Sequence, residues 1–239
     1  MSVTSVSEVE ADPTFPPLLS GEEAPAGAPP FDKAVAAALV GCDPGLVVWS
    51  RAGDAMRAAM VLTPECSLSE ALGIAFAPAI GFVDALGALG PPEVAIHHVW
   101  PGQFKVNGGD CGGLRVAAST KDPDVEPDWI VIGIDIPVLP DGDGGENPDQ
   151  TCLFHEGCAE VTPLRLLESW SRHTLVWINR WLDEGLAPLH AAWRERAWEM
   201  GEPLPDGSGT FMGLDEHGGM LVKTETATIV RPLTEILET

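Results

Sequence analysis

Apolar residues recur along this chain at two spacings. Residues 31–40 carry small apolar side chains at helical spacing and stop at Gly41 and Asp43-Pro44, which predicts a helix. Residues 69–89 are apolar around the whole circumference, with Ser67 or Ser69 to cap the start and Gly90-Pro91-Pro92 to end it. That predicts a buried helix despite the internal Pro78. Thr162-Pro163 opens a long amphipathic helix with Leu164, Leu167, Trp170, Leu175, Ile178 and Leu182 along one face. Gly185 interrupts it, and a second helix is expected from about 187 to 200.

Shorter apolar runs predict strands at 46–49, 58–62, 94–100, 103–106 and 111–118. Asn107-Gly108 separates the last two and is the strongest hairpin signal in the chain. Residues 129–136 form a near-continuous β-branched run, expected as a central strand covered on both faces. After a linker at 205–209, β character returns at 210–214, 220–223 and 228–230, with a turn at 216–219. Strands and helices mix without strict alternation, so the expected class is α+β: a mixed sheet flanked by helices, with a small C-terminal β domain. The expected divisions are a disordered 1–14, a main domain over 15–204 and the β domain over 205–239, with Phe15-Pro-Pro-Leu-Leu19 as the first ordered apolar contact.

Composition narrows the function. The 239 residues are 45% hydrophobic and 21% charged, as in a globular protein. Thirty-six acids against 13 Lys and Arg give a formal charge of −23, and four of those cations are lysines: Lys33, Lys105, Lys121 and Lys223. Such a field repels phosphate backbones and anionic lipid, which excludes nucleic acid and membrane surfaces as partners. The chain shows no secretion signal and no apolar run read as membrane-spanning. Five cysteines, an odd number, then point to reduced thiols in the cytoplasm.

Several candidate metal sites fail on stoichiometry. Asp141-Gly-Asp143 opens like a calcium loop, but Glu146 stands at the position that needs glycine and Cys152 at the position that needs an acid. Cys152, His155 and Cys158 supply three zinc-type ligands with no partner cluster nearby, and the reading is a loop with a solvated histidine and packed thiols. His97-His98 and His217 have no partner pattern. There is no phosphate-binding Walker loop and no nucleophile elbow.

The most informative stretch is Trp100-Pro-Gly-Gln-Phe-Lys-Val-Asn-Gly-Gly-Asp-Cys-Gly-Gly-Leu114. Paired glycines on a strand let a flat ligand lie against the backbone, and read by pattern alone they equally mark a hairpin with a bulge. This stretch resembles the biotin protein ligases and, more distantly, the lipoate ligases. Their signature is a Trp-Pro-Asn-Asp run, a short hairpin, then Lys-hydrophobic-Gly-Gly-Ile. Trp100-Pro101, Asn107-Gly108 and Gly112-Gly113-Leu114 follow that order. Trp129-Ile-Val-Ile-Gly-Ile134, Thr151-Cys-Leu153, Trp193 and the 211–222 segment follow in the family's order too. The resemblance implies a ligand pocket at Arg57, Trp100, Gly112 and Gly113. It also implies acyl-adenylate formation from biotin or lipoate with ATP and magnesium, then transfer to a lysine of a biotinyl or lipoyl carrier protein.

The sequence departs from that pattern where charge is needed. Asp110 stands where the family has its hairpin lysine. Two like charges about 4 Å apart repel by roughly 4 kcal/mol at an intermediate dielectric, so the change is not neutral. The family's Gly-Arg-Gly-Arg loop is reduced to Arg51, Gly53 and Arg57. Lys105 and Arg115 are the candidate replacement cations; Lys105 points either to the pocket or away, and Arg115 either to the pocket or, as arginines mostly do, to solvent. Cys111 occupies a hydrophobic position and reads as a buried small residue rather than an acyl carrier.

The leading expectation is therefore a biotin/lipoate ligase-like protein that binds a small carboxylate- or nucleotide-type ligand without standard biotin ligase activity. The alternative is an active ATP-dependent ligase. A third reading is an oligomeric scaffold, a homodimer through a sheet edge.

Overall fold

The computed structural model describes residues 11–140 and 149–238. The acidic loop read as calcium-like lies almost wholly outside the described residues. Seven strands form the main sheet in the order β1-β2-β3-β7-β6-β5-β4. They are β1 (Ser20–Glu23), β2 (Leu46–Trp49), β3 (Ala55–Leu62), β4 (Ile96–Val99), β5 (Gln103–Val106), β6 (Gly109–Ala118) and β7 (Ile130–Pro137). Every neighbouring pair is antiparallel except β1 with β2.

Alternation along the strands separates two faces. Ile130, Ile132, Ile134 and Ile136 of β7, with Met60 and Val116, enter the larger core. Val131, Ala59, Val61 and Val48 face the other way and pack under α1 (Pro30–Leu39) through Phe31, Ala34 and Ala38. β7 is central, as its β-branched run predicts, but α1 does not cover its whole length. Phe31 ends the cover over Gly133, where an added Cβ would lie 2.6 Å from the ring. Asp135, two residues on, is exposed. The uncovered end of the sheet beyond Phe31 is where the cleft described below opens.

The larger core is closed by helices. The expected helix at 69–89 is α2 (Leu68–Ala71), a 3-10 turn (Leu72–Ala75) and α3 (Phe76–Leu89). Pro78 falls in the first turn of α3, where its missing N–H has no helical acceptor to lose. This 68–89 stretch is long and apolar enough to cross a membrane, which corrects the expectation that no run is; 78% of its most apolar window is buried inside the protein. It packs on α4 (Pro163–Glu184), which Thr162 caps through Arg165 N. At the crossing, a Cβ on Gly81 would lie 2.4 Å from Thr174 Oγ1, and the Trp170 indole donates to Pro78 O at 3.0 Å.

Two further departures have physical causes. β1 reads Ser-Gly-Glu-Glu, with no apolar signal, and forms because β2 offers it a backbone ladder. The second helix, α5 (Ala187–Arg194), stops six residues before the expected end. There the chain turns to pair with the β4 edge: His98 N donates to Arg196 O and Trp198 N to His98 O, both at 2.8 Å.

The C-terminal strands β8 (Thr210–Leu214), β9 (Met220–Lys223) and β10 (Thr228–Arg231) form a separate antiparallel sheet. Its core is continuous with the main one: Phe211, Met220, Val222 and Leu233 belong to the same buried cluster as the α3 side chains.

Candidate functional site

The hairpin at the cleft turns on Asn107 and Gly108, both with positive φ (48° and 93°), as a two-residue turn of this hand requires. Asn107 Oδ1 accepts from Ala95 N, and its Nδ2 donates to Glu156, both at 2.9 Å. Glu156 also takes the Thr151 hydroxyl at 2.5 Å, so it latches the hairpin to the following segment. Asp110 N donates to Asp149 O and Thr151 N to Asp110 O, which carries the backbone of that segment alongside β6.

The register of β5 on β6 shifts between Gln103 and Lys105, a bulge opposite Gly112. Gly112 has φ +74°, and a Cβ there would lie 2.0 Å from Asp135 O. Backbone geometry alone thus requires glycine at 112. At Gly113 the nearest group to an added Cβ is the Gln103 carboxamide, 2.7 Å away, which lies over this glycine.

Above these glycines is an open cleft of about 1090 Å³. Its lining includes Asp54, Arg57, Gln103, Asp110, Arg115 and Asp135, together with Thr151 and His155. Three carboxylates in the lining face two guanidiniums, and each guanidinium is already engaged. Arg57 donates to Asp54 Oδ1 at 3.0 Å and Oδ2 at 2.8 Å, and through Nε to Asp135 at 3.1 Å. Asp54 holds the Arg57 guanidinium charged, against the effect of burial, and the same bond holds the Asp54 carboxyl below its ordinary range. Arg115 is bonded by both oxygens of Glu238, with Nη2 at 2.8 Å from Oε2. Asp32 lies 3.8 Å away, and the Phe31 ring centroid 4.3 Å beneath the guanidinium carbon. Arg115 is half-exposed and among the residues that line the cleft.

Other anticipated residues fall elsewhere. Lys105 stands directly across β5–β6 from Asp110. Its ammonium is 2.5 Å from Asp110 Oδ1 and 5.5 Å from the Trp198 ring centroid, and Asp110, not Lys105, is among the described lining residues. Arg51 pairs with Glu23 and Asp12 and lies over Trp49. Of the loop remnant Arg51, Gly53 and Arg57, the fold brings Arg57 into the lining. Trp100 precedes a cis bond to Pro101 and is buried toward the C-terminal sheet, where its indole donates to Gly218 O at 3.0 Å. Cys111 is buried with its thiol pushed up to about 12 by desolvation, so it is no nucleophile at neutral pH.

Cys152 and Cys158 are buried, and Cys152 and His155 both line the cleft. Among the described residues no three of His, Cys, Asp and Glu converge on a point a metal could occupy. His98 is buried, stacked on Trp193 with centroids 5.5 Å apart, and neither ring nitrogen has a hydrogen-bond partner among the described residues. Desolvation lowers its pKa to about 3.

Sequence reasoning missed Glu238 and Glu156. Glu238 lies 123 residues from Arg115, so local pattern held no trace of it. Asp135 did leave a signal, as the single charge in a β-branched run.

A hairpin with paired glycines on a seven-stranded mixed sheet, joined to a small C-terminal sheet, defines the biotin protein ligase class of fold. The chain matches the Biotin/lipoate A/B protein ligase family over residues 15–195, and a domain of unknown function (DUF4444) over 203–239. It belongs to the biotin/lipoate A/B protein ligase family. A biotin protein ligase-like protein of unknown function from Silicibacter sp. TM1040 is 52% identical, with a TM-score of 0.90 over 95% of this chain and 100% of that one. A biotin--[acetyl-CoA-carboxylase] ligase of Paracoccus denitrificans is 26% identical over 197 residues, 79% of this chain and 82% of that protein. The Aquifex aeolicus biotin protein ligase solved in complex with biotin and ATP shares the fold at a TM-score of 0.65 and 15% identity, over 89% of this chain and 93% of that one.

Proposed function

We propose that this protein binds a small ligand of carboxylate or nucleotide type in the cleft above Gly112 and Gly113, and that it does not run standard biotin adenylation. One observation carries the second half. Asp110 occupies the position of the family's lysine, and the nearest replacement, Lys105, is consumed by the ion pair with it. An adenylate phosphate entering here meets Asp54, Asp110 and Asp135, and neither guanidinium is free of carboxylates. The residues present therefore do not fit the phosphates of an ATP·Mg complex, and we derive no adenylation step. A single carboxylate exchanging with one already on a guanidinium is a smaller demand, and a nucleotide would have to be held by base and sugar.

The chain divides, on this reading, into a ligase-like domain over 15–204 and a β module over 205–239. All five thiols are free, which supports a cytoplasmic setting. Contact with a biotinyl or lipoyl carrier protein is the partner the family membership supports. Calorimetry with biotin, lipoate and ATP, followed by a pyrophosphate-release assay, tests the proposal. Binding of a carboxylate without pyrophosphate release is the expected result; biotin-dependent pyrophosphate release would overturn it in favour of an active ligase.

A further inference from the structure

The C-terminal segment reaches back to β6 and to Arg115, a residue of the cleft lining. β5 begins at Gln103, opposite Gly113, and leaves the edge of β6 beyond that point without a strand from the hairpin. Residues after the last 3-10 turn (Leu233–Ile236) fill part of it. Leu237 pairs with Val116 in a parallel bridge, and Glu238 N donates to Val116 O at 2.9 Å. Ile236 packs against the space over Gly102, 3.1 Å from where a Cβ would be. This short strap delivers the Glu238 carboxylate to Arg115 as a two-oxygen fork.

We propose that Arg115 is a carboxylate receptor at the cleft rim, occupied in cis by Glu238, and that a ligand carboxylate and the 236–238 strap compete for it. This rests on the reading of the cleft as a carboxylate site. The geometry of a guanidinium bound by both oxygens of one carboxylate is the geometry an acyl ligand would reproduce. Asp32, 3.8 Å away, and Asp135 also face Arg115, so a second anion is disfavoured while Glu238 stays. The ion pair is peelable at its charged end: the Arg115 and Glu238 side chains are 45% and 38% exposed, and Glu238 is held to β6 through its N–H to Val116 O next to the Leu237 bridge, whereas Ile236 is buried in the core. By linkage, whatever docks the strap weakens the ligand, and the ligand loosens the strap by the same factor. The C-terminal module thereby acquires a role, setting how readily the cleft accepts an anion.

The test uses the full chain and octanoate as a monocarboxylate probe, titrated at low salt into wild type, Glu238→Gln and Arg115→Met, with amide exchange followed in the 233–238 segment. An exposed pair implies about two- to fivefold tighter octanoate binding in Glu238→Gln and loss of that gain when Arg115→Met is added. Octanoate should speed exchange of the Glu238 amide in wild type. Equal affinities in wild type and Glu238→Gln, or octanoate binding that leaves or increases protection of the strap, would overturn the competition and leave the carboxylate cleft standing. No octanoate binding to wild type or Glu238→Gln would instead remove the carboxylate reading itself, and the competition with it.

Discussion

Restoring the family's lysine with Asp110→Lys is the direct way to ask whether the cleft lost its charge alone, and the structure says that this single change fails. Lys105 is the cross-strand partner of residue 110, with its ammonium 2.5 Å from the Asp110 carboxylate. The substitution removes an attraction of about 0.2–1 kcal/mol for a partly exposed pair. It adds repulsion between two ammoniums about 4 Å apart, roughly 1 kcal/mol in water and 4 kcal/mol at an effective dielectric of 20. The position 110 side chain is half exposed, which favours the lower figure. The expected loss is about 1.5–3 kcal/mol, a fall in Tm of about 3–12 °C for a chain of this size. Adding Lys105→Met removes the repulsion and should recover most of the loss. A double-mutant cycle by chemical denaturation reads the coupling, expected at about 1–3 kcal/mol and smaller at 1 M salt. Asp110→Lys as stable as wild type, or no recovery on adding Lys105→Met, would show that this pair does not govern the site. The double variant, not the single one, is then the proper background in which to look for a gain of adenylate binding.

Other outcomes follow from the same geometry. Gly112→Ala should lower Tm by several degrees more than Gly113→Ala, because the first places a Cβ 2.0 Å from a backbone oxygen at positive φ and the second meets the movable end of Gln103; similar losses in thermal melts would contradict this. His98 is held neutral with a pKa of about 3, below its ordinary value. The unfolded chain therefore binds the extra proton, and stability complete above pH 6.5 declines as pH falls toward 3, by up to about 5 kcal/mol. His98→Phe should flatten that part of the denaturation–pH curve. At pH 8, alkylation in the native state should modify Cys66 and Cys42 well before Cys111, whose thiol is buried and raised to about 12; mass spectrometry of the labelled peptides gives the order.

Much of the architecture was legible because it rests on local pattern. The amphipathic 163–184 helix, the Asn107-Gly108 turn and the central β-branched strand each bury apolar groups at a fixed period, and the fold keeps all three. The glycine frame at 112–113 was legible as well, as a bulge in the hairpin. The polar strand β1 was not, because its stability lies in the ladder with β2 and not in its own side chains. Nor was the early end of α5, decided by the unpaired edge of β4.

The sequence by itself determined the periods of burial, the turn, the excess of acid and the presence of an acid at position 110 of the hairpin. Tertiary structure decided what those charges do. It set Lys105 against Asp110, folded Asp54 and Asp135 around Arg57, and brought Glu238 across 123 residues to Arg115. It also spent Trp100 on the C-terminal sheet. The reason is physical: periodicity records which side of an element is buried, whereas the partner of a charge depends on which distant strands and tails the packing brings within a few ångströms.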